Sequence, residues 1–197
     1  MQSFRNVDVD ALSFCDTLVR DGAVYVAALD PPLTVGTTTV TMASGIVEDS
    51  FAHIKVGGSL LEFFKAVERK VQDTAVAKKA GWFREDISDE LISSSFKTFV
   101  TDSTVKVRVS DDVAAFNNAK AKIDLPGAGA RVKAVLELAR VTFGKTQFGL
   151  VWTLRQVKCI GESVYLFDDD VAETVAEGLD DSTILATHED CIDADIA

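Results

Sequence analysis

The sequence predicts an α+β fold that is mainly β: a small closed or twisted sheet, a helical insertion over about residues 59–99, and an acidic C-terminal tail. Three observations carry this expectation. Strand-forming text fills both halves of the chain, and helix-forming text is confined to one block between them. Strands and helices that come in blocks favour a small barrel over a parallel sheet, whose elements would alternate. The charge also divides abruptly. Residues 1–167 hold 20 basic and 20 acidic side chains, whereas residues 168–197 hold eleven carboxylates and no Lys or Arg. The net charge of −11 therefore belongs to the tail, and the expected organisation is a neutral body over 1–167 with a polyanion over 168–197.

The elements follow in order. Ala23–Leu29 and Leu33–Met42 are rich in β-branched residues and are divided by Asp30-Pro31-Pro32, a turn former. A third strand is expected within Ile46–Val56, ended by Gly57-Gly58. Ser59 and Glu62 have capping-box spacing. Behind them Leu60, Phe63, Phe64, Val67 and Val71 recur at helical steps, which predicts a helix to about Lys79. Ser88 is expected to cap a second, shorter helix with Asp89 and Glu90 in its first turn. Trp82-Phe83 reads as an apolar plug between the helices and the sheet. Val105–Val109 alternates strictly, and Ala119–Leu125 is a further strand candidate before Pro126-Gly127. The clearest hairpin joins Arg131–Phe143 to Gln147–Ile160 through Gly144-Lys145-Thr146, and Ser163–Phe167 is a last short strand.

Composition narrows the class. Cys15, Cys159 and Cys191 form an odd set without CxxC spacing, so reduced thiols are expected. The start lacks an apolar signal region, and no apolar run approaches the roughly 18 residues of a membrane span. A soluble intracellular protein is the expectation. Catalytic signatures are poor: His53 and His188 are the only histidines, and HExxH, P-loop and GxSxG patterns do not occur. Lys55-Val-Gly-Gly-Ser59 fits either an anion-holding helix start or a plain strand-to-helix turn. Asp168, Asp169 and Asp170 fit a divalent cation less well than a solvated acidic run.

Basic residues gather instead. Residues 97–158 hold eleven Lys/Arg against five acids and, with Phe96 just before them, contain Phe99, Phe116, Phe143, Phe148 and Trp152. Cations interleaved with aromatics suit sequence-tolerant binding of single strands, since Lys and Arg neutralise phosphates while aromatic faces stack bases. The candidate phosphate contacts are Lys97, Lys106, Arg108, Lys120, Lys122, Arg131, Lys133, Lys145, Arg155 and Lys158. Phe143, Phe148 and Trp152 are the candidate base platforms, each of which also fits a core position. Period-2 parity puts Lys106 and Arg108 on one face of their strand, and puts Arg131 and Lys133 on the face that carries Phe143. In the tail, Asp168, Asp169, Asp170, Asp180, Asp181, Glu189, Asp190, Asp193 and Asp195 are candidate competitors for a basic groove or contacts for a partner. A solubilising tail is the alternative. Val171, Val175, Leu179, Ile184, Leu185 and Ile192 would let it form an amphipathic helix on binding.

Taken together, the helix around Leu61–Glu68, the segment Gly81–Ile92 leading to Phe96, the strand Phe148–Lys158, Val164–Phe167 and the acidic end resemble a known family. It is that of the OB-fold single-stranded-DNA-binding proteins of bacteriophages and nucleocytoplasmic large DNA viruses, and the resemblance covers about residues 45–197. It implies an OB-like barrel that binds single strands without sequence preference, in replication or recombination. It also implies an acidic C-terminus that competes with DNA and recruits replication proteins. The expected partners are single-stranded DNA and, through the tail, replication proteins, with self-association left open. No cofactor, metal or membrane is implied. The rival expectation is a structural or adaptor protein, a virion or scaffold component, whose tail docks on a basic partner.

Overall fold

The computed structural model describes residues 2–45, 50–83 and 87–161. The chain divides into two units, Met1–Ser163 and Val164–Ala197, and every described residue lies in the first. The strand expected at Ser163–Phe167 and all the tail candidates lie outside the described residues.

The strands in chain order are β1 (Gln2–Ser3), β2 (Val19–Asp21), β3 (Val24–Gly36), β4 (Val40–Met42), β5 (Phe51–Lys55), β6 (Phe96–Lys97), β7 (Val100–Thr101), β8 (Thr104–Phe116), β9 (Lys122–Ile123), β10 (Arg131–Phe143) and β11 (Phe148–Cys159). The helical insertion between β5 and β6 comprises α1 (Gly58–Ala77), α2 (Lys79–Trp82) and α3 (Asp89–Ser95). Five pairings close a ring: β10 with β4, β4 with β5, β5 with β8, β8 with β11, and β11 with β10. The β8–β11 seam is parallel and the other four are antiparallel. The seams through β4 span only two residue pairs each, so the sheet is partly closed. With β3 and β4 together as its first strand, the ring reads 1-2-3-5-4, and a fold that is α+β and mainly β results.

The inner faces of the ring form one apolar core with the insertion. Val105, Val107 and Val109 point inward from β8, and Leu150, Trp152 and Leu154 from β11. Helix α1 buries Leu60, Phe63, Phe64, Val67, Val71 and Ala75 against them, the 3- and 4-residue spacing that gives a helix one apolar stripe. Phe64 meets Trp152 edge-on, with ring centroids 5.3 Å apart. Trp82 and Phe83 act as the plug expected from sequence: both pack against Phe143, and Phe83 also against Phe148. Trp82 Nε1 donates to the carbonyl of Cys15 at 2.9 Å, and Lys78 Nζ donates to that of Phe14 at 2.7 Å. These bonds pin the N-terminal segment to the insertion.

Several expectations need correction. Asp30-Pro31-Pro32 does not divide two strands: β3 runs through it. Leu33 opposes Leu138 and Ala28 opposes Arg140, so Leu29–Pro32 bulge out opposite the single residue Ala139. Helix α1 starts one residue before Ser59, with Gly57 at the N-cap position and no side-chain cap. It ends at Ala77, where α2 takes over. The cap expected at Ser88 is present, its hydroxyl accepting from Leu91 N at 3.3 Å. The strand expected over Ala119–Leu125 shrinks to β9, whereas β8 extends well past Val109.

Candidate nucleic-acid interface

The outer face of β5 and β8 is built by simple alternation. Ala52 and Ile54 are fully buried, so Phe51, His53 and Lys55 project outward. On β8 the buried valines leave Lys106 and Arg108 outward and exposed. The antiparallel register sets His53 beside Lys106 and Phe51 beside Arg108. Lys106 Nζ lies 4.1 Å from the centroid of the Phe51 ring, a cation–π contact of about 0.5–1 kcal/mol at an exposed site. His53 Nδ1 lies 3.2 Å from Ser44 Oγ, whose hydroxyl also accepts from His53 N.

Beside this pair lies a cavity of about 860 Å³, whose walls include Phe51, His53, Lys97, Lys106 and Lys145. The insertion places Lys97. Its residue pairs with Gly149 across the β6–β11 ladder, and a Cβ on Gly149 would sit 2.8 Å from the Lys97 carbonyl oxygen. Glu68, on the buried side of α1, accepts from Thr98 Oγ1 at 2.5 Å and from Phe99 N at 2.9 Å. The carboxylate thereby ties the lysine-bearing segment to the helix. Lys145 sits on the four-residue loop between β10 and β11, held by a hydrogen bond from Gly144 N to Gln147 O at 2.8 Å. Phe143 and Phe148 stack beneath that loop with centroids 5.5 Å apart and planes 9° from parallel. Lys97, Lys106, Arg108 and Lys145 form no ion pair with another described residue.

The structure does not bring all the candidate cations together. Lys122, Lys133 and Lys158 stand at the opposite end of the ring. Lys122 faces Phe116, Phe116 faces Lys158, and Lys158 faces Lys133 across successive ladders. Lys120 precedes that row, and Arg131 opens β10 opposite Thr41. Between the two groups sits Arg155, which donates from Nε and Nη2 to the Glu137 carboxylate at 3.1 and 3.0 Å. Its Nη1 reaches Ser110 Oγ at 2.9 Å and Asp112 Oδ1 at 3.4 Å. The hydrogen bonds to Glu137 raise the Arg155 pKa. Asp112 lies below the usual carboxylate range, chiefly because the Ser110 hydroxyl donates to it. Arg155 is thus committed to the body's own acids, and the cations form two patches in place of one trough.

The expected aromatic platforms also need correction. Trp152 is fully enclosed by Phe63, Phe64 and Phe99. Phe143 and Phe148 are buried under Trp82, Phe83 and Phe96. Phe143 does not share a face with Arg131 and Lys133. Leu138 opposes Trp152 and Val141 opposes Leu150, so a bulge at Ala139–Arg140 reverses the parity of β10. Phe51 is an outward aromatic that the sequence reading missed. The alternation Phe51-Ala52-His53-Ile54-Lys55 carried the signal, but the residue lies outside the basic stretch 97–158. Every described phenylalanine other than Phe51 and Phe116 is buried in the core or packed on it.

An α+β, mainly β protein whose partly closed sheet sets an outward aromatic of one strand beside a lysine of the next is the class that this fold and site define. The chain belongs to a family of unknown function, DUF5871, whose model matches residues 46–173. No curated protein matches it. Among solved structures it is similar to the single-stranded DNA-binding protein from bacteriophage Enc34, at 11% identity and a TM-score of 0.43, over 81% of this chain and 95% of that one. A structure of the Enc34 protein in complex with ssDNA matches at 12% identity and 0.44, over 77% and 96%. The single-stranded DNA binding protein gp2.5 of bacteriophage T7 matches at 12% and 0.41, over 75% and 98%.

Proposed function

We propose that this protein is a non-catalytic, sequence-tolerant single-stranded-DNA-binding protein of DNA replication or recombination. The groove over β5, β8 and the 144–147 loop holds the strand. The observation that carries the reading is the Lys106–Phe51 pair at the edge of a cavity that Lys97 and Lys145 also line. Phe51 offers a ring outside the core for a base to stack on, worth about 1–3 kcal/mol. Lys97, Lys106, Arg108 and Lys145 supply the positive charge that phosphates require. OB folds bind oligonucleotides on the face of their second and third strands and on the loops after the first and fourth. β5, β8 and the 144–147 loop occupy those places here, an argument by fold analogy that supports the geometry. The eleven carboxylates of residues 168–197 supply an internal competitor for the same groove and a handle for replication proteins.

Fluorescence anisotropy with single- and double-stranded oligonucleotides of equal length, across a salt series, tests this. Tighter binding of the single strand, weakened by salt, is expected; no binding, or preference for the duplex, refutes it. The division of the cations into two patches favours a second reading, a structural or adaptor protein whose tail docks on a basic partner. That reading is upheld if no oligonucleotide binds at low salt.

A further inference from the structure

We propose that Phe116, Lys122 and Lys158 form a second single-strand contact at the far end of the same outer face. A long strand is then held at two points while a short one is held at the first alone. The inference rests on the single-strand reading above and extends it. Phe116 is, with Phe51, one of the two described phenylalanines outside the core. Its neighbour Ala115 is buried, so the Phe116 side chain takes the outward side of β8. The register sets Lys122 of β9 on one flank and Lys158 of β11 on the other, with Lys133 of β10 one strand further. The chemistry resembles that of the first patch, where Phe51 of β5 lies beside the Lys106/Arg108 strand: one outward ring, cations on a neighbouring strand, and no ion pair from those cations to another described residue.

The two patches lie along one strand direction. Thr153 stands level with Arg108 and Lys158 level with Phe116. The five-residue step between them along β11 corresponds to about 17 Å. The extra residues Ser110–Val113 of β8 bulge away at the intervening level, where Leu154 faces Val109 and Gln156 faces Ala114. Glu137 and Asp112 share Arg155 there. Phosphates are disfavoured over those carboxylates, so the strand is gripped on either side of them and crosses between.

The test uses the full chain and two single-stranded oligonucleotides, about four and about sixteen nucleotides long, the ends of the range covered by one OB fold. Phe116→Ala is expected to weaken the long strand roughly 5- to 150-fold, the loss of one stacked base, and to leave the short strand unchanged. Lys122→Ala with Lys158→Ala is expected to reduce the long strand's salt slope by about 1.4, from about 0.7 per cation. These lysines are surface side chains, so the pair reports even if Phe116→Ala disturbs the fold. Unchanged long-strand affinity and slope overturn the proposal, and so does an equal loss for both lengths. Lys106→Ala with Arg108→Ala separates the two readings. If that variant loses the short strand while Phe116→Ala spares the long one, the second contact alone fails. If the unaltered protein binds neither strand, both readings fail.

Discussion

Removing Lys106 and Arg108 together perturbs the first patch with the least risk to the fold. Both side chains are exposed, and the inward neighbours Val105, Val107 and Val109 are untouched. Stability should therefore move by no more than about 1 kcal/mol, the upper value for the lost cation–π contact with Phe51. The binding effect can be worked from the structure. Lys97, Lys106, Arg108 and Lys145 make no ion pair with another described residue. If each neutralises one phosphate, the slope of log affinity against log salt is about −2.8 for a single strand short enough to stay on this patch. Such a protein loses about 50-fold in affinity between roughly 50 and 200 mM salt. The Lys106→Ala/Arg108→Ala variant retains two contacts, a slope of about −1.4, and loses only about 7-fold over the same range. The variant also loses the lysine that sits 4.1 Å from the Phe51 ring, which leaves that ring without its cation. Anisotropy titrations of a short oligonucleotide at several salt concentrations give both slopes, and several base sequences should lose affinity alike. An unchanged slope would remove β8 from the footprint, and a sequence-dependent loss would contradict tolerance of sequence.

Three further outcomes are expected. Gly149→Ala sets a Cβ 2.8 Å from the Lys97 carbonyl; because both sides are backbone, β6 must leave β11, costing about 1–3 kcal/mol in urea unfolding and weakening single-strand binding. A variant as stable as the parent would show that the β6–β11 pairing is not rigid. Deletion of residues 168–197 should tighten single-strand binding, most at low salt, because the competing carboxylates are gone; equal or weaker binding contradicts the competitor role. The folded-state pKa of Asp112 is depressed, first by the Ser110 hydroxyl, so its contribution is present above the ordinary carboxylate value and fades as pH falls through the depressed one. Asp112→Asn should therefore be less stable than the parent near neutral pH, with the two unfolding curves converging in acid; a constant gap down to strongly acidic pH would refute the linkage.

Elements whose signal is local were legible in the chain. The Ser88 cap, the apolar stripe of α1, the alternation of β8 from Val105 to Val109 and the β10–β11 hairpin all follow from spacing within a few residues. Net charge likewise located the region from which the groove draws Lys97, Lys106 and Lys145, with Arg108 outward on the same strand as Lys106. Trp152 shows where that reading stopped. The alternation of Phe148, Leu150, Trp152 and Leu154 makes its strand face apolar, but whether an apolar face meets solvent or another element depends on where α1 lands, and α1 puts Phe63 and Phe64 on it. Phe143 marks a second limit, since a two-residue bulge turned it from the face of Lys133 to the core.

The amino-acid order alone determined the main strands and the two main helices, the placement of the insertion, and the charge contrast between an acidic end and a neutral body. Only the tertiary structure decided which cations are neighbours, that Arg155 belongs to Glu137 and Asp112, and that Phe51 rather than Trp152 faces outward beside a lysine. Periodicity and capping are set by residues a few positions apart. Ladder register, bulges and ring closure are set by partners tens of residues away, and no local pattern encodes those distances.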